Sequence, residues 1–352
     1  MKPRLLVATP THPSDDPRIR HKLIASLQDE WEVTYAGRGR GPVDQRGICW
    51  IELVGSRIRR AVHAGWMLLR GRYDVASLHD PEMLPAGLAA ALLGRTVVFD
   101  VHENVPAQLR TKDWLPRVLR RPLARLAAGL FRVAEKRMAI TLAEEGYGEL
   151  FSKTHPVFPN YLVGVPPAPQ DPDPDVGIVY LGDVTEERGL TLAVEAVAAT
   201  DAAKMTVMGR CKPGLRSQLL AIAERHGLDL VFHGFVDTDE ALRICARGLI
   251  GLSPLLDTPN YRASLPTKVL EYLAVGIPTV ASDLPGTRQV VGDRPGVTLV
   301  PPGDVGAWQT AIAAVLADPT QRTAARAGTA AIRAAYVWPD AAVRAFYRAR
   351  LP

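Results

Sequence analysis

The chain has 352 residues, 47% of them hydrophobic and 22% charged, with a formal net charge of +5. That is the composition of a globular protein of two or three domains; it excludes a disulfide mini-scaffold, a disordered chain and a collagenous one. The mild positive balance favours an anionic partner without identifying it.

Three cysteines, Cys49, Cys211 and Cys245, are odd in number and far apart. A reduced, cytoplasmic protein is expected, with neither a disulfide framework nor a zinc site. The opening apolar run Leu5–Ala8 is too short for a signal peptide and reads as a first buried strand. No window holds about 18 apolar residues in a row, so no transmembrane helix is expected.

In chain order, Leu5–Thr9, Trp31–Ala36, Ile48–Leu53, Val75–Leu78 and Thr96–Asp100 read as strands. Ile19–Gln28, Arg57–Leu69 and Met83–Leu93 read as helices between them. Alternation of this kind implies parallel sheets with helices on both faces. Most of these runs are apolar throughout rather than alternating, as buried parallel strands should be. A proline-rich stretch from Pro166 to Asp175 then interrupts the pattern and reads as a stiff linker. Beyond it, Gly177–Leu181, Met205–Met208, Leu230–Phe232, Leu249–Leu252, Thr279–Ala281 and Val297–Val300 are strand candidates. Leu190–Ala198, Arg216–Arg225, Asp239–Ala246, Thr267–Ala274 and Val305–Leu316 are helix candidates. The division predicted is 1–165 and 177–335 as two α/β domains, 166–176 as linker, and 336–352 as a helix crossing back to the first domain. Ligands of such sheets bind beyond the carboxyl ends of the strands, so a cleft between the two domains is the default site.

Several patterns carry little chemistry. Gly37-Arg38-Gly39-Arg40-Gly41 lacks the spacing of a phosphate loop and leads to Pro42 rather than a helix, so it reads as a surface loop. Asp171, Asp173 and Asp175 alternate with prolines and complete no calcium loop. The segment Trp114–Arg137 stays open between two readings. Leu119, Leu123, Leu126, Leu130 and Val133 can share a helical face beside five arginines, either as an interfacial helix on anionic lipid or as a domain helix with a solvated basic side. Pro122 is expected to break that helix or to start its second half.

The strand ends are richer. His79-Asp80-Pro81 and Asp100-Val101-His102-Glu103 place ionisable groups at the rim of the first sheet, where a histidine can donate a hydrogen bond or carry a proton, or only cap the next helix. In the second half, Gly182 to Gly189 follows a strand and opens a helix, so its N–H groups and Arg188 suit an anion as well as an ordinary loop. A loop from Asn260 leads through Arg262, Ser264 and Leu265 to a helix starting near Pro266. Lys268 adds charge there, and Glu271 lies on the Thr267 face. Such a carboxylate can accept both hydroxyls of a ribose while the helix N-terminus holds a diphosphate; a bare Lys268–Glu271 surface pair is the alternative.

Together these pieces, in order along nearly the whole chain, resemble the GT-B glycosyltransferases, specifically retaining family 4. Thr9-Pro10, Asp16 to Arg20, the two histidine motifs, Phe158-Pro159-Asn160, Gly182–Gly189, Met208-Gly209, Phe232 to Val236 and Pro266–Pro278 carry the resemblance. It implies two Rossmann-like domains facing a central cleft, the second holding a nucleotide diphosphate sugar and the first most of the acceptor pocket. By that resemblance Gly182, Asp183, Arg188, Gly209, Arg262, Ser264, Leu265, Pro266, Lys268 and Glu271 bind the donor. His12, Arg18, His79, Asp80 and Glu103 line the acceptor side. His102, Arg188 and Lys268 serve the reaction, His102 through a hydrogen bond to the transferring sugar.

Two departures stand out. Asp183 replaces the family's arginine, leaving Arg18, Arg262 or Lys268 to substitute, and Ala263 replaces the first glutamate of its E-x7-E pair. The implied reaction moves a hexose-type sugar to a hydroxyl of a glycan, glycolipid or secondary metabolite, with retention and with no cofactor or metal. The rivals are a binding protein of the same fold without turnover, and an epimerase or phosphorylase. No nucleic-acid partner is expected; peripheral contact with an anionic inner membrane face stays open.

Overall fold

The short runs rich in valine, isoleucine and leucine form two six-stranded parallel sheets. We describe a computed structural model covering residues 1–41, 47–111, 115–259, 261–262 and 264–352. Pro42, Trp114, Asn260 and Ala263 lie outside the described residues. Unit 1 comprises Met1–Asn160 with Trp338–Pro352, and unit 2 comprises Tyr161–Val337.

Unit 1 contains β1 (Arg4–Pro13), β2 (Glu32–Arg38), β3 (Ile48–Glu52), β4 (Val75–Leu78), β5 (Thr96–Val101) and β6 (Ala139–Leu142), in the order β3-β2-β1-β4-β5-β6. Unit 2 contains β7 (Ile178–Leu181), β8 (Lys204–Met208), β9 (Asp229–Gly234), β10 (Gly251–Ser253), β11 (Thr279–Ser282) and β12 (Val297–Val300), in the order β12-β11-β10-β7-β8-β9. Both are the doubly wound Rossmann order, reversing at β1/β4 in unit 1 and at β7/β10 in unit 2. In unit 2 this junction is loose: β7 and β10 pair at Val179 and Gly251. Tyr272 closes it, its hydroxyl accepting from the Leu181 N–H (2.8 Å) and donating to the Leu252 carbonyl (3.2 Å).

The final helix, Asp340–Arg348, belongs to unit 1. It buries Val343, Phe346 and Tyr347 in a cluster with Ile24, Leu27 and Trp31, each such side chain contributing about 1.5–3 kcal/mol. Trp338 Nε1 donates to Ser26 Oγ at 2.9 Å, and Arg348 pairs with Glu30 at 2.6 Å. The proline-rich stretch lies along unit 2. Arg333 donates to the Pro167 carbonyl, Arg326 pairs with Asp171, and Arg247 with Asp173.

Two local outcomes differ from expectation. Pro122 sits inside one continuous helix, Arg117–Glu135; on an exposed face, the lost N–H and the ring cause no break. That helix buries Ala124, Phe131 and Ala134, while Leu119, Leu126 and Val133 face solvent. The expected helix Ile19–Gln28 opens as a wide turn, Ile19–Ile24, in which the Leu23 N–H reaches back five residues to the Arg18 carbonyl (3.0 Å). Beneath it, Asp16 Oδ1 already accepts from the Arg18 and Ile19 N–H groups, both at 3.0 Å.

Candidate functional site

In unit 1 the ends of β1, β4 and β5 converge at the switch point and build a network around Asp100. Its carboxylate is buried and accepts from Arg18 Nη2 (2.8 Å), Arg18 Nε (3.0 Å), Thr141 Oγ1 (2.8 Å) and His102 Nε2 (2.8 Å). Arg18 also donates to the Phe158 carbonyl and to Asn160 Oδ1. Despite burial, the positive charges of Arg18 and His102 hold the Asp100 carboxyl well below its usual range. His79 is enclosed between Ser77 and His102, and burial drives it down to about 4, so it is neutral at pH 7.

A second pair sits beside the first. His12 Nδ1 lies 2.8 Å from Asp16 Oδ2, and His12 Nε2 3.6 Å from Asp80 Oδ1. Burial works against the charged imidazole, but Asp16 and then Asp80 outweigh it and raise the His12 pKa. The His12 and His102 rings meet edge to face with centroids 5.3 Å apart. Asp80 is held by Thr9. Glu103 stands apart: it is exposed and accepts from Gln108. Among the described residues, His79, Asp100 and His102 bring ligand-type atoms within 4.8 Å of one another. The Asp100 oxygens already face a guanidinium, a hydroxyl and an imidazole, so a cation there would have to displace Arg18.

Unit 2 is built oppositely, from cations on a glycine-lined wall. Lys268, on the helix Thr267–Val275, is buried beneath the loop after β7, and its Nζ lies 4.1 Å from the Tyr180 ring centroid with no hydrogen-bond partner. Arg188 reaches the same spot: a methyl group at Gly182 would stand 3.3 Å from Arg188 Nη1 and 3.7 Å from Lys268 Nζ. Burial, and then the Arg188 charge, lower the Lys268 pKa to about 7. Glu271 and Asp183 pull the other way.

Backbone approach fixes this wall. Gly209 abuts the Gly182 carbonyl so closely that a Cβ would fall 1.9 Å from it. Gly189, at φ +72°, presses on the Pro254 carbonyl. The helix carrying Lys268 and Glu271 starts after Pro266 with no side-chain cap. Arg262 lies on the exposed loop before it and pairs with Asp257 at 2.8 Å; Ser264 Oγ donates to the Tyr261 carbonyl, and Leu265 is half-buried.

Residues 175–318 match the family described as Glycosyl transferases group 1. That match falls within the second unit, and the chain has the GT-B fold. That fold is shared along the chain's length by sucrose-phosphate synthase from Thermosynechococcus elongatus, with TM-score 0.72, 17% identity and coverage of 99% of this chain and 98% of that one. Anabaena HepE, solved with UDP-glucose, gives 0.72 at 14% identity over 98% and 99%. WaaG, a glycosyltransferase involved in lipopolysaccharide biosynthesis, gives 0.67 at 13% over 97% and 98%. No curated protein matches the sequence.

Sequence reasoning did not single out Asp16, Tyr180 or Tyr272 for the site. Tyr272 follows Glu271 directly, but its helix position signals core, and only the gap between β7 and β10 gives its hydroxyl a task.

Proposed function

We propose that the enzyme moves a hexose-type sugar from a nucleoside diphosphate sugar to an acceptor hydroxyl, with retention and without a metal. The observation that carries this reading is the buried, unpartnered Lys268 ammonium beside Arg188 and an uncapped helix. An orphaned buried donor costs about 1–3 kcal/mol, which a bound diphosphate offsets.

In this reading the two cations and the helix N–H groups take the charge that develops on the leaving diphosphate. A diphosphate oxygen accepts the acceptor proton on the same face, so no protein nucleophile is required. Glu271 holds the ribose hydroxyls, and His102 donates to the transferring sugar. The exposed leucines and arginines of the helix Arg117–Glu135 touch anionic lipid, which points to a lipid-linked acceptor.

A melting-temperature screen of UDP, GDP, ADP and dTDP, each with its sugars, tests the donor reading. UDP-sugars come first, because HepE was solved with one. One nucleoside diphosphate should raise the midpoint by mass action and its monophosphate should do so far less. Equal shifts for both would sink the diphosphate assignment. Turnover should survive EDTA; inhibition reversed by a divalent ion would end the metal-free reading.

A further inference from the structure

Unit 1 carries a second exposed apolar stripe. Val54, Ile58, Val62 and Trp66 recur every four residues, and all are between 55% and 78% exposed. Three of them lie on the helix Arg57–Arg70, whose other side, through Ala64, Gly65 and Leu68, is buried in the core. The helix therefore has two apolar sides and a partner for one. It contains no acidic residue, and Arg59, His63 and Arg70 are exposed beside the stripe.

The surroundings repeat the pattern. The helix Leu84–Leu92 packs between this helix and Arg117–Glu135, so the three lie in one layer on the sheet and turn their outer sides the same way. Leu92, Val118, Leu126 and Val133 are exposed on that layer among five more arginines. A groove of about 710 Å³ runs between the first two helices, walled by Ile58, Val62, Trp66, Leu69 and Ala86. Arg57 and Glu82 pair at its edge.

We propose that the helix Arg57–Arg70 inserts Ile58, Val62 and Trp66 into an anionic phospholipid bilayer, with the groove receiving aliphatic chain. Charge decides the occupant. A second copy docked about a two-fold axis would set these arginines against arginines. A surface of phosphates complements them, and a tryptophan flanked by cations suits the water–lipid boundary. The proposal deepens the membrane reading of the neighbouring helix and uses nothing of the donor site.

Flotation of the full chain with phosphatidylglycerol and with phosphatidylcholine vesicles, no donor present, tests it. Binding should be confined to the anionic vesicles and fade with salt. Ile58→Ser/Val62→Ser/Trp66→Ser should weaken it about tenfold or more, and Arg59→Glu/Arg70→Glu similarly, at about fivefold per cation removed from the surface. The substituted side chains are exposed, and an unchanged melting temperature certifies the fold. Wild type that does not float, or an apolar triple variant that floats as well as wild type, overturns the assignment. A lipid-free dimer abolished by the same triple variant also overturns it, in favour of a self-interface. Donor-induced melting shifts should be equal in all variants, so failure here and failure of the transferase reading are separable.

Discussion

The two units share one strand order, yet their switch points hold opposite kinds of charge. At the unit 1 switch point the described groups are paired: Arg18 with Asp100, His12 with Asp16, and His102 hydrogen-bonded to Asp100. In unit 2 Lys268 is buried without an acceptor and Arg188 stands beside it. A satisfied network stabilises the fold that contains it and orients its members, here His102 on Asp100. An unsatisfied cation costs stability and waits for a counter-charge. The topology gives both units a rim; the side chains make one a paired network around a carboxylate and leave in the other a buried cation without an acceptor.

The largest effect should come from Asp100→Asn. It leaves the Arg18 guanidinium buried without its counter-charge, and breaking a buried pair from one side costs about 3–5 kcal/mol. Urea unfolding should show that loss with donor affinity in unit 2 unchanged. A loss below 1 kcal/mol would mean the network is not the scaffold described.

His79 should make unit 1 pH-sensitive. Its folded pKa of about 4 lies below the ordinary 6.5, so between those values the unfolded chain binds the extra proton. Stability from this group is full above pH 6.5 and declines by about 2–3 kcal/mol as pH falls to 4. Asp100, depressed by Arg18, adds a further loss only below the ordinary carboxylate range. His79→Gln should flatten the slope between pH 6.5 and 4 and leave the steeper acid limb; an unchanged slope would assign it to another group.

Lys268→Met should do in unit 2 the reverse of what Asp100→Asn does in unit 1. Replacing an unpartnered buried ammonium by an apolar chain of similar length should raise the melting temperature, by the equivalent of about 1–2 kcal/mol. It should weaken nucleoside diphosphate binding at the same time. Stabilisation with intact diphosphate affinity would break the contrast between the units.

Much of this was legible in the sequence, and the limits have physical causes. Strands such as Val75–Leu78 and Thr279–Ser282 announce themselves because both faces are buried and every residue is apolar or small. The convergence of Arg188 on Lys268 was half legible: each sits near a helix start, but eighty residues of chain separate them and only the loop geometry at Gly182 joins them. The outward leucines of Arg117–Glu135 are left open by periodicity alone, since Leu119 and Leu126 share a stripe that could face either way; Ala124, Phe131 and Ala134 take the inner side. Arg18 reads as a free cation in sequence; its carboxylate partner lies on another strand, 82 residues on.

The smallest effect is the most specific to unit 2. Free Lys268, lowered to about 7 from an ordinary 10.5 by burial and by Arg188, is largely neutral at pH 8. A bound diphosphate would favour its charged form and restore a high pKa, so binding at pH 8 must take up close to one proton. Affinity should then fall with rising pH above 7, by up to about tenfold per unit. Calorimetry at pH 8 in two buffers of different ionisation enthalpy reads the uptake directly. Lys268→Met should abolish it, whereas Asp100→Asn, acting on a network that is already paired, should leave it as in wild type. Uptake that persists in Lys268→Met would place the proton on the phosphate or on another side chain, and Lys268 would then be a charged group throughout rather than one that charges on binding.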